Sequence, residues 1–196
     1  MELKRVVVTG FGAITPIGNN AKEYWENLVK GESGAAPITL FDATNFKTKF
    51  ACEVKNFDPL NYLDKKEAKK MDRNTQFGIV AAREAVAHSR IIEDNCDKNR
   101  VGVIWGSGIG GLGTFENEVL GWAASAGIPR FNPFFIPKMI ADITPGHISI
   151  EYGFHGPNYT TVSACPSSAN ALIYGKLLIN LGKAATHFLV VFSVAI

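Results

Sequence analysis

Cysteine is scarce in this sequence. Three occur among 196 residues, Cys52, Cys96 and Cys165, and no two share a C-x-x-C spacing. So sparse and odd a set argues against a disulfide framework and suits reduced thiols in a reducing compartment. Long apolar runs are missing too. The amino terminus passes from Met-Glu-Leu-Lys-Arg to only three valines, too little for a secretory signal, and the late run from Phe188 to Phe192 is far too short to cross a bilayer. A cytoplasmic protein without membrane insertion is expected. There is no charge excess: 20 Lys and Arg face 18 Asp and Glu, a net charge of +2, which gives no reason to expect a nucleic-acid partner. The histidines, His88, His147, His155 and His187, have no metal-site spacing with one another or with a cysteine, so no metal is expected. Internal repeats and low-complexity tracts are absent.

What is present is globular. With 46% hydrophobic and 19% charged residues, residues 1–196 suit one domain or one large half-domain that can bury a core. Arg5-Val6-Val7-Val8-Thr9 reads as a buried strand ended by Gly10-Phe11-Gly12. Asn20 with Glu23 resembles a capping box, Trp25, Leu28 and Val29 share a helical face, and Gly31 is the stop. A short strand is expected near Phe50 to Val54. Asp64 with Glu67 opens a second helix running to about Ser89. Val101 to Trp105 is a further strand, followed by Gly106-Ser107-Gly108-Ile109-Gly110-Gly111 and a helix over 114–126. Residues 129–137 read as a packed loop. Thr160-Thr161-Val162-Ser163 is the next strand, leading into a helix from Pro166 to Leu181 that is apolar nearly all round and so expected to be buried. Strands alternating with helices make the class α/β with a largely buried sheet.

Cys165 is the sharpest candidate for chemistry. It stands at a strand-to-helix junction, and Pro166 suits the first helical position. The open amides and dipole of a helix start stabilise a thiolate and can hold a developing oxyanion. The competing reading is a buried structural cysteine. Gly106, Gly108 and Gly111 spell G-x-G-x-x-G after a strand, but no acidic residue follows about twenty positions on, so close packing in a tight turn explains them better than a dinucleotide site. Tyr62 and Lys66 have a Y-x-x-x-K spacing with nothing around them to support a dehydrogenase. Lys66, Lys69, Lys70 and Arg73 fall on one helical face, either a solvated surface or a dock for an acidic partner.

Several multi-residue blocks carry a resemblance. Val7-Val8-Thr9-Gly10-Phe11-Gly12-Ala13-Ile14-Thr15-Pro16-Ile17-Gly18, Lys70-Met71-Asp72-Arg73, the Gly106–Gly111 loop, Asn132-Pro133-Phe134-Phe135-Ile136-Pro137, Tyr152-Gly153-Phe154-His155-Gly156-Pro157-Asn158 and Ser163-Ala164-Cys165 resemble, in order from residue 5 to about 172, the β-ketoacyl-acyl-carrier-protein synthases, synthase II above all. The resemblance implies a thiolase-like layered α/β fold of two pseudo-duplicated halves, residues 1–196 matching the amino-terminal one, and a homodimer. It implies an acyltransferase of fatty-acid elongation. Cys165 would take an acyl chain from the phosphopantetheine thioester of an acyl carrier protein, with no bound cofactor. Malonyl carrier protein would then lose carbon dioxide, and the carbanion would attack the acyl group to give a 3-oxoacyl product. Ile109 would gate the acyl pocket, Phe135 would reach that pocket across the dimer interface, and Lys66, Lys69 and Lys70 would meet the acidic carrier protein.

The family's second half supplies two histidines, a lysine and part of the oxyanion hole. None of those blocks occurs here, and neither His147 nor His155 lies in a matching motif. Where the family has Gly-Gly and then Glu, this chain has Val190-Val191-Phe192-Ser193, and Tyr174-Gly175-Lys176 is also atypical. The expectation is that the second half is absent from this chain, leaving apolar surface exposed, and that the 196 residues are acylated at Cys165 without condensing. The alternatives are a catalytically silent half acting in folding or dimerisation, a thiolase that binds coenzyme A, and a dehydrogenase.

Overall fold

The computed structural model describes residues 4–128, 130–183 and 188–192. Helix α1 spans Ala21–Lys30 and starts as the sequence predicts: the Asn20 side chain accepts the Glu23 N–H, and the Glu23 carboxylate accepts the Asn19 N–H at 2.8 Å. Gly31 ends it in a left-handed conformation, φ 75°. Two short antiparallel strands follow, β1 (Ala36–Pro37) and β2 (Phe50–Ala51), the latter shorter than the expected run to Val54.

The helix expected from residue 64 to Ser89 is two helices, α2 (Lys65–Lys70) and α3 (Arg73–Ser89). The reason is Asp72. Its side chain accepts the Asn74 N–H, so a helix starts there, and Met71 before it is extended. Arg73 therefore leaves the lysine face of α2; its guanidinium lies over the rings of Phe77 and Phe57, 4.7 and 5.8 Å from their centres.

The central strand β3 (Gly102–Gly106) is buried along its whole length. After it come α4 (Leu112–Ala124), α5 (Phe135–Met139), α6 (Ile143–Tyr152), β4 (Asn158–Thr161), α7 (Ser167–Asn180) and β5 (Phe188–Phe192). The short helix α5 begins inside the expected loop at 129–137 and runs past its end. The sheet is parallel, in the order β4-β3-β5, with Trp105 opposite Thr160 and Val191. Strand alternation divides β3 between two layers. Val103 and Trp105 enter a core with Ile79, Ala82 and Val86 of α3 and Ile148 of α6. Gly106 faces α7.

Three expectations fail informatively. Residues 4–14 form no strand, and Val7 and Val8 are 59% and 79% exposed. Both edges of β3 are already paired, so this β-branched run has no partner there, and propensity without a partner does not make a strand. The segment instead lies along α3, where Gly10 and Gly12 press on the backbone of Ala85 and Ala81 and the Ala13 N–H donates to Glu84 at 2.9 Å. The second failure is β4, which starts two residues early and ends before Val162, now exposed. The third is α7, which is buried only through a stripe containing Ala171, Gly175 and Ile179, of which the small Ala171 and Gly175 let it sit close on the sheet. Leu172, Ile173, Tyr174, Leu177 and Leu181 are exposed, as are Trp25, Leu28 and Val29 of α1. His187 and Ser193 lie outside the described residues.

Arg83 clamps α3 to α6. Its guanidinium donates to both oxygens of Glu151, at 2.7 and 3.1 Å, and to the Tyr62 carbonyl at 2.6 Å. Nearby, burial pushes the Tyr152 hydroxyl up to about 12. Burial also pulls His147 below its ordinary value, an effect only partly offset by the Glu67 and Glu151 carboxylates. A histidine held down in this way binds its proton more readily when unfolded. Its contribution to stability is therefore full above the ordinary histidine value of about 6.5 and is lost as pH falls below it. Thermal melts of His147→Gln between pH 7.5 and 5 should show a shallower acid-side loss of Tm than the parent; an equal slope contradicts this.

Candidate active site

Cys165 sits where β4 turns into α7, and the turn is built by its neighbours. Ala164, the residue before it, is in the left-handed region at φ 56°. For a residue with a Cβ that conformation costs about 1–2 kcal/mol, and it turns the chain sharply between strand and helix. Ser167, 3% exposed, closes the turn. Its hydroxyl donates to the Ala164 carbonyl at 2.7 Å and accepts the Ser163 N–H at 2.9 Å. The Ser167 carbonyl accepts the Thr161 hydroxyl at 2.7 Å, and Asn170 Nδ2 donates to Ser163 Oγ at 2.7 Å. Thr161, Ser163, Ser167 and Asn170 thus fix the loop at four points while Cys165 at its apex is exposed. Cys165 is therefore not part of the packed core of this chain.

Pro166 is the N-cap rather than the first helical residue, and no side chain caps α7. The positive end of a 14-residue helix is consequently left open next to the thiol. An exposed sulfur beside open helix amides can form a thioester and have the oxyanion of the tetrahedral intermediate held by N–H groups. The supporting polar residues were missed by sequence reading. Ser and Asn in a helix's first turn were a usable signal, whereas the left-handed alanine has none.

The glycine loop leaves β3 directly beside this turn. A Cβ on Gly106 would lie 2.6 Å from both N and Cα of Ser168, so only glycine lets the two backbones meet. The close-packing reading of the loop holds. Ile109 is at the loop's apex, 67% exposed. Phe135 is half-buried on α5, its ring stacked on Phe131 at 5.7 Å and Phe115 at 6.3 Å. Lys66, Lys69 and Lys70 are exposed on α2, and Lys70 Nζ lies 5.4 Å from the centre of the Phe134 ring. The structure joins the glycine loop to the cysteine turn and Lys70 to the loop before Phe135.

His147 is on α6 and His155 in the turn before β4; no hydrogen bond ties either to Cys165 among the described residues. No cluster of three His, Cys, Asp or Glu side chains suited to a metal occurs among the described residues, and no described helix is long and apolar enough to cross a membrane. A groove of about 250 Å³ lies elsewhere, lined by residues including Ile17, Asn19, Glu23, Asn27 and Lys55. It contains none of the six candidate residues and has no part in this chemistry.

Comparison with known proteins places these features. A family model described as "Beta-ketoacyl synthase, N-terminal domain" matches residues 3–187. The 3-oxoacyl-acyl-carrier-protein synthase 2 of Synechocystis sp. is 44% identical over 172 residues, covering 88% of this chain and 41% of the relative. The protein of the same name from Staphylococcus aureus is 45% identical, covering 86% of this chain and 41% of the relative. The chain thus spans about two fifths of the length of these curated relatives. Among solved structures, the ishigamide ketosynthase/chain length factor superposes with a TM-score of 0.85 at 29% identity, covering 93% of this chain and 46% of that one. A type II polyketide acyl-carrier protein in complex with its ketosynthase contains a chain matching with a TM-score of 0.75 at 30% identity, covering 92% of this chain and 48% of that one.

Proposed function

This chain belongs to the beta-ketoacyl synthase family, as its amino-terminal domain with a thiolase-like fold, and from that membership we propose that it supplies the acyl-accepting site of a 3-oxoacyl-acyl-carrier-protein synthase of fatty-acid elongation. The observation that carries the reading is the exposed Cys165 at the uncapped start of α7, directly after left-handed Ala164. As thiolate, the sulfur attacks the acyl thioester carbonyl. The carbon–sulfur bond to phosphopantetheine breaks, the carrier's thiolate leaves and takes up the proton that Cys165 gave to solvent on ionising, and the acyl chain remains on Cys165. Ile109 and Phe135 line the path of that chain in this reading. Condensation with malonyl carrier protein needs further donors for the thioester oxygen, which the wider family places outside these residues. The 196 residues therefore acylate without condensing.

Three features support the rest of the assignment. The exposed apolar face of α7 suits a second α/β layer stacked on it, as in a fold of two similar halves. The exposed Phe115, Leu120 and Trp122 of α4, beside Phe135, suit a homodimer contact that brings Phe135 to the pocket. The exposed Lys66, Lys69 and Lys70 suit an acidic partner.

Donor choice tests this directly. Acylation of the chain, followed by intact mass, should be faster from acyl carrier protein than from acyl coenzyme A at equal concentration. The reverse preference sinks the synthase reading and favours a thiolase. Replacing Lys66, Lys69 and Lys70 together by glutamate should weaken carrier-protein binding by about tenfold or more, with the difference shrinking as salt rises. Unchanged affinity removes α2 from the interface.

A further inference from the structure

We propose that Asp72 is a positioning residue of the acyl pocket, holding the glycine loop that carries Ile109 through its hydrogen bond to Thr114. This rests on the reading above, in which Ile109 gates the chain bound to Cys165. The carboxylate serves two helix starts at once. Its Oδ1 accepts the Asn74 N–H at 2.9 Å and caps α3, while its Oδ2 accepts the Thr114 hydroxyl at 2.5 Å in the first turn of α4. Thr114 is buried, and α4 has no side-chain cap of its own at Gly111. One negative group thus faces the positive ends of two helices, which is a reason for aspartate rather than asparagine at this position.

The loop is pinned against the same group. A Cβ on Gly111 would lie 3.0 Å from Asp72 Cγ and 2.3 Å from the Lys138 carbonyl, and the Gly111 N–H donates to the Met139 carbonyl at 3.0 Å. At its other end the loop is wedged against Ser167 and Ser168 beside Cys165 through Gly106. Ile109 is therefore suspended between an anchor on the cysteine turn and an anchor on Asp72. Asp72 also follows α2 after the single residue Met71, so the residue that fixes the pocket loop is the end of the segment bearing Lys66, Lys69 and Lys70.

The test uses the full chain with Thr114→Val, Asp72→Asn and, as the conservative control, Thr114→Ser. Two quantities are read. The first is amide hydrogen exchange in the segment 106–113, which is independent of activity. Loss of a hydrogen bond to a charged acceptor should speed exchange there by about tenfold in Thr114→Val, with Thr114→Ser near the parent. Unchanged exchange in both Thr114→Val and Asp72→Asn overturns the anchor. The second is the ratio of Cys165 acylation rates from long-chain and short-chain acyl carrier protein. A loosened gate changes this ratio several-fold, whereas a merely structural role lowers Tm and leaves it alone. A loosened loop with an unchanged ratio in an acylating chain overturns the positioning role. A loosened loop in a parent that never acylates Cys165 upholds the anchor and rejects the functional reading instead.

Discussion

Gly106→Ala should destabilise the chain by at least about 1–3 kcal/mol, and with it disorder the cysteine turn. The added methyl would stand 2.6 Å from N and Cα of Ser168 and 2.8 Å from the Ser167 carbonyl carbon. All three are backbone atoms, so no side chain can swing away, and either β3 or the first turn of α7 has to move. On the other side of β3, Val103 and Trp105 are fully buried against α3 and α6, so the strand has no room to retreat. The displacement therefore falls on α7, taking the Ser167 hydrogen bonds and the helix start beside Cys165 with it. Against a total stability of roughly 5–15 kcal/mol for a domain, this is a large fraction. Gly108→Ala is the control. Its Cβ meets nothing within 4 Å, so denaturant midpoints should barely move. Equal midpoints for the two variants would show that β3 and α7 do not touch as described.

The contrast between these glycines shows what the sequence could carry. Alternating strands and helices, the cap at Asn20, the stop at Gly31 and the strand at Val103 to Trp105 were legible because they depend on local chemistry: side-chain acceptors, positive φ, and β-branched runs. The G-x-G-x-x-G pattern was legible as close packing but not as packing against Ser168, since that contact joins residues 62 apart in the chain. Residues 5–9 read as a strand by the same local rule and failed, because pairing is decided by which edges of β3 are free. The break at Asp72 was hidden inside a helix-compatible stretch. It became visible only when Thr114 supplied a second use for the carboxylate. Helix α7 was read as buried all round from apolarity alone. Composition marks both of its faces as apolar, but only the stripe containing Ala171, Gly175 and Ile179 is buried. At the site, Cys165 was found by its junction, and the residues that shape its turn, Ala164 and Ser167, were not, because their roles come from backbone dihedrals and short-range hydrogen bonds.

Cys165→Ala should abolish acyl transfer while leaving the fold intact. The side chain is exposed and takes no part in the hydrogen bonds of the turn, so its loss should change stability by no more than about 0.5 kcal/mol. The chemistry, in contrast, has no substitute. Cys52 is exposed but lies just after the edge strand β2, and Cys96 is half-buried in the turn after α3; neither stands at a helix start. Ser167→Ala should give the intermediate result of slower acylation with the thiol still present, because the turn would lose both hydrogen bonds of the Ser167 hydroxyl.

The most direct measurement is to incubate the 196-residue chain with acyl carrier protein, digest it, and locate the added acyl mass by peptide sequencing in the mass spectrometer. A single acyl group confined to the peptide containing Cys165, absent from Cys165→Ala and lost on treatment with hydroxylamine, is the predicted result. Label spread over Cys52 and Cys96, or retained in Cys165→Ala, would contradict the claim that the open start of α7 makes this one sulfur the acyl acceptor.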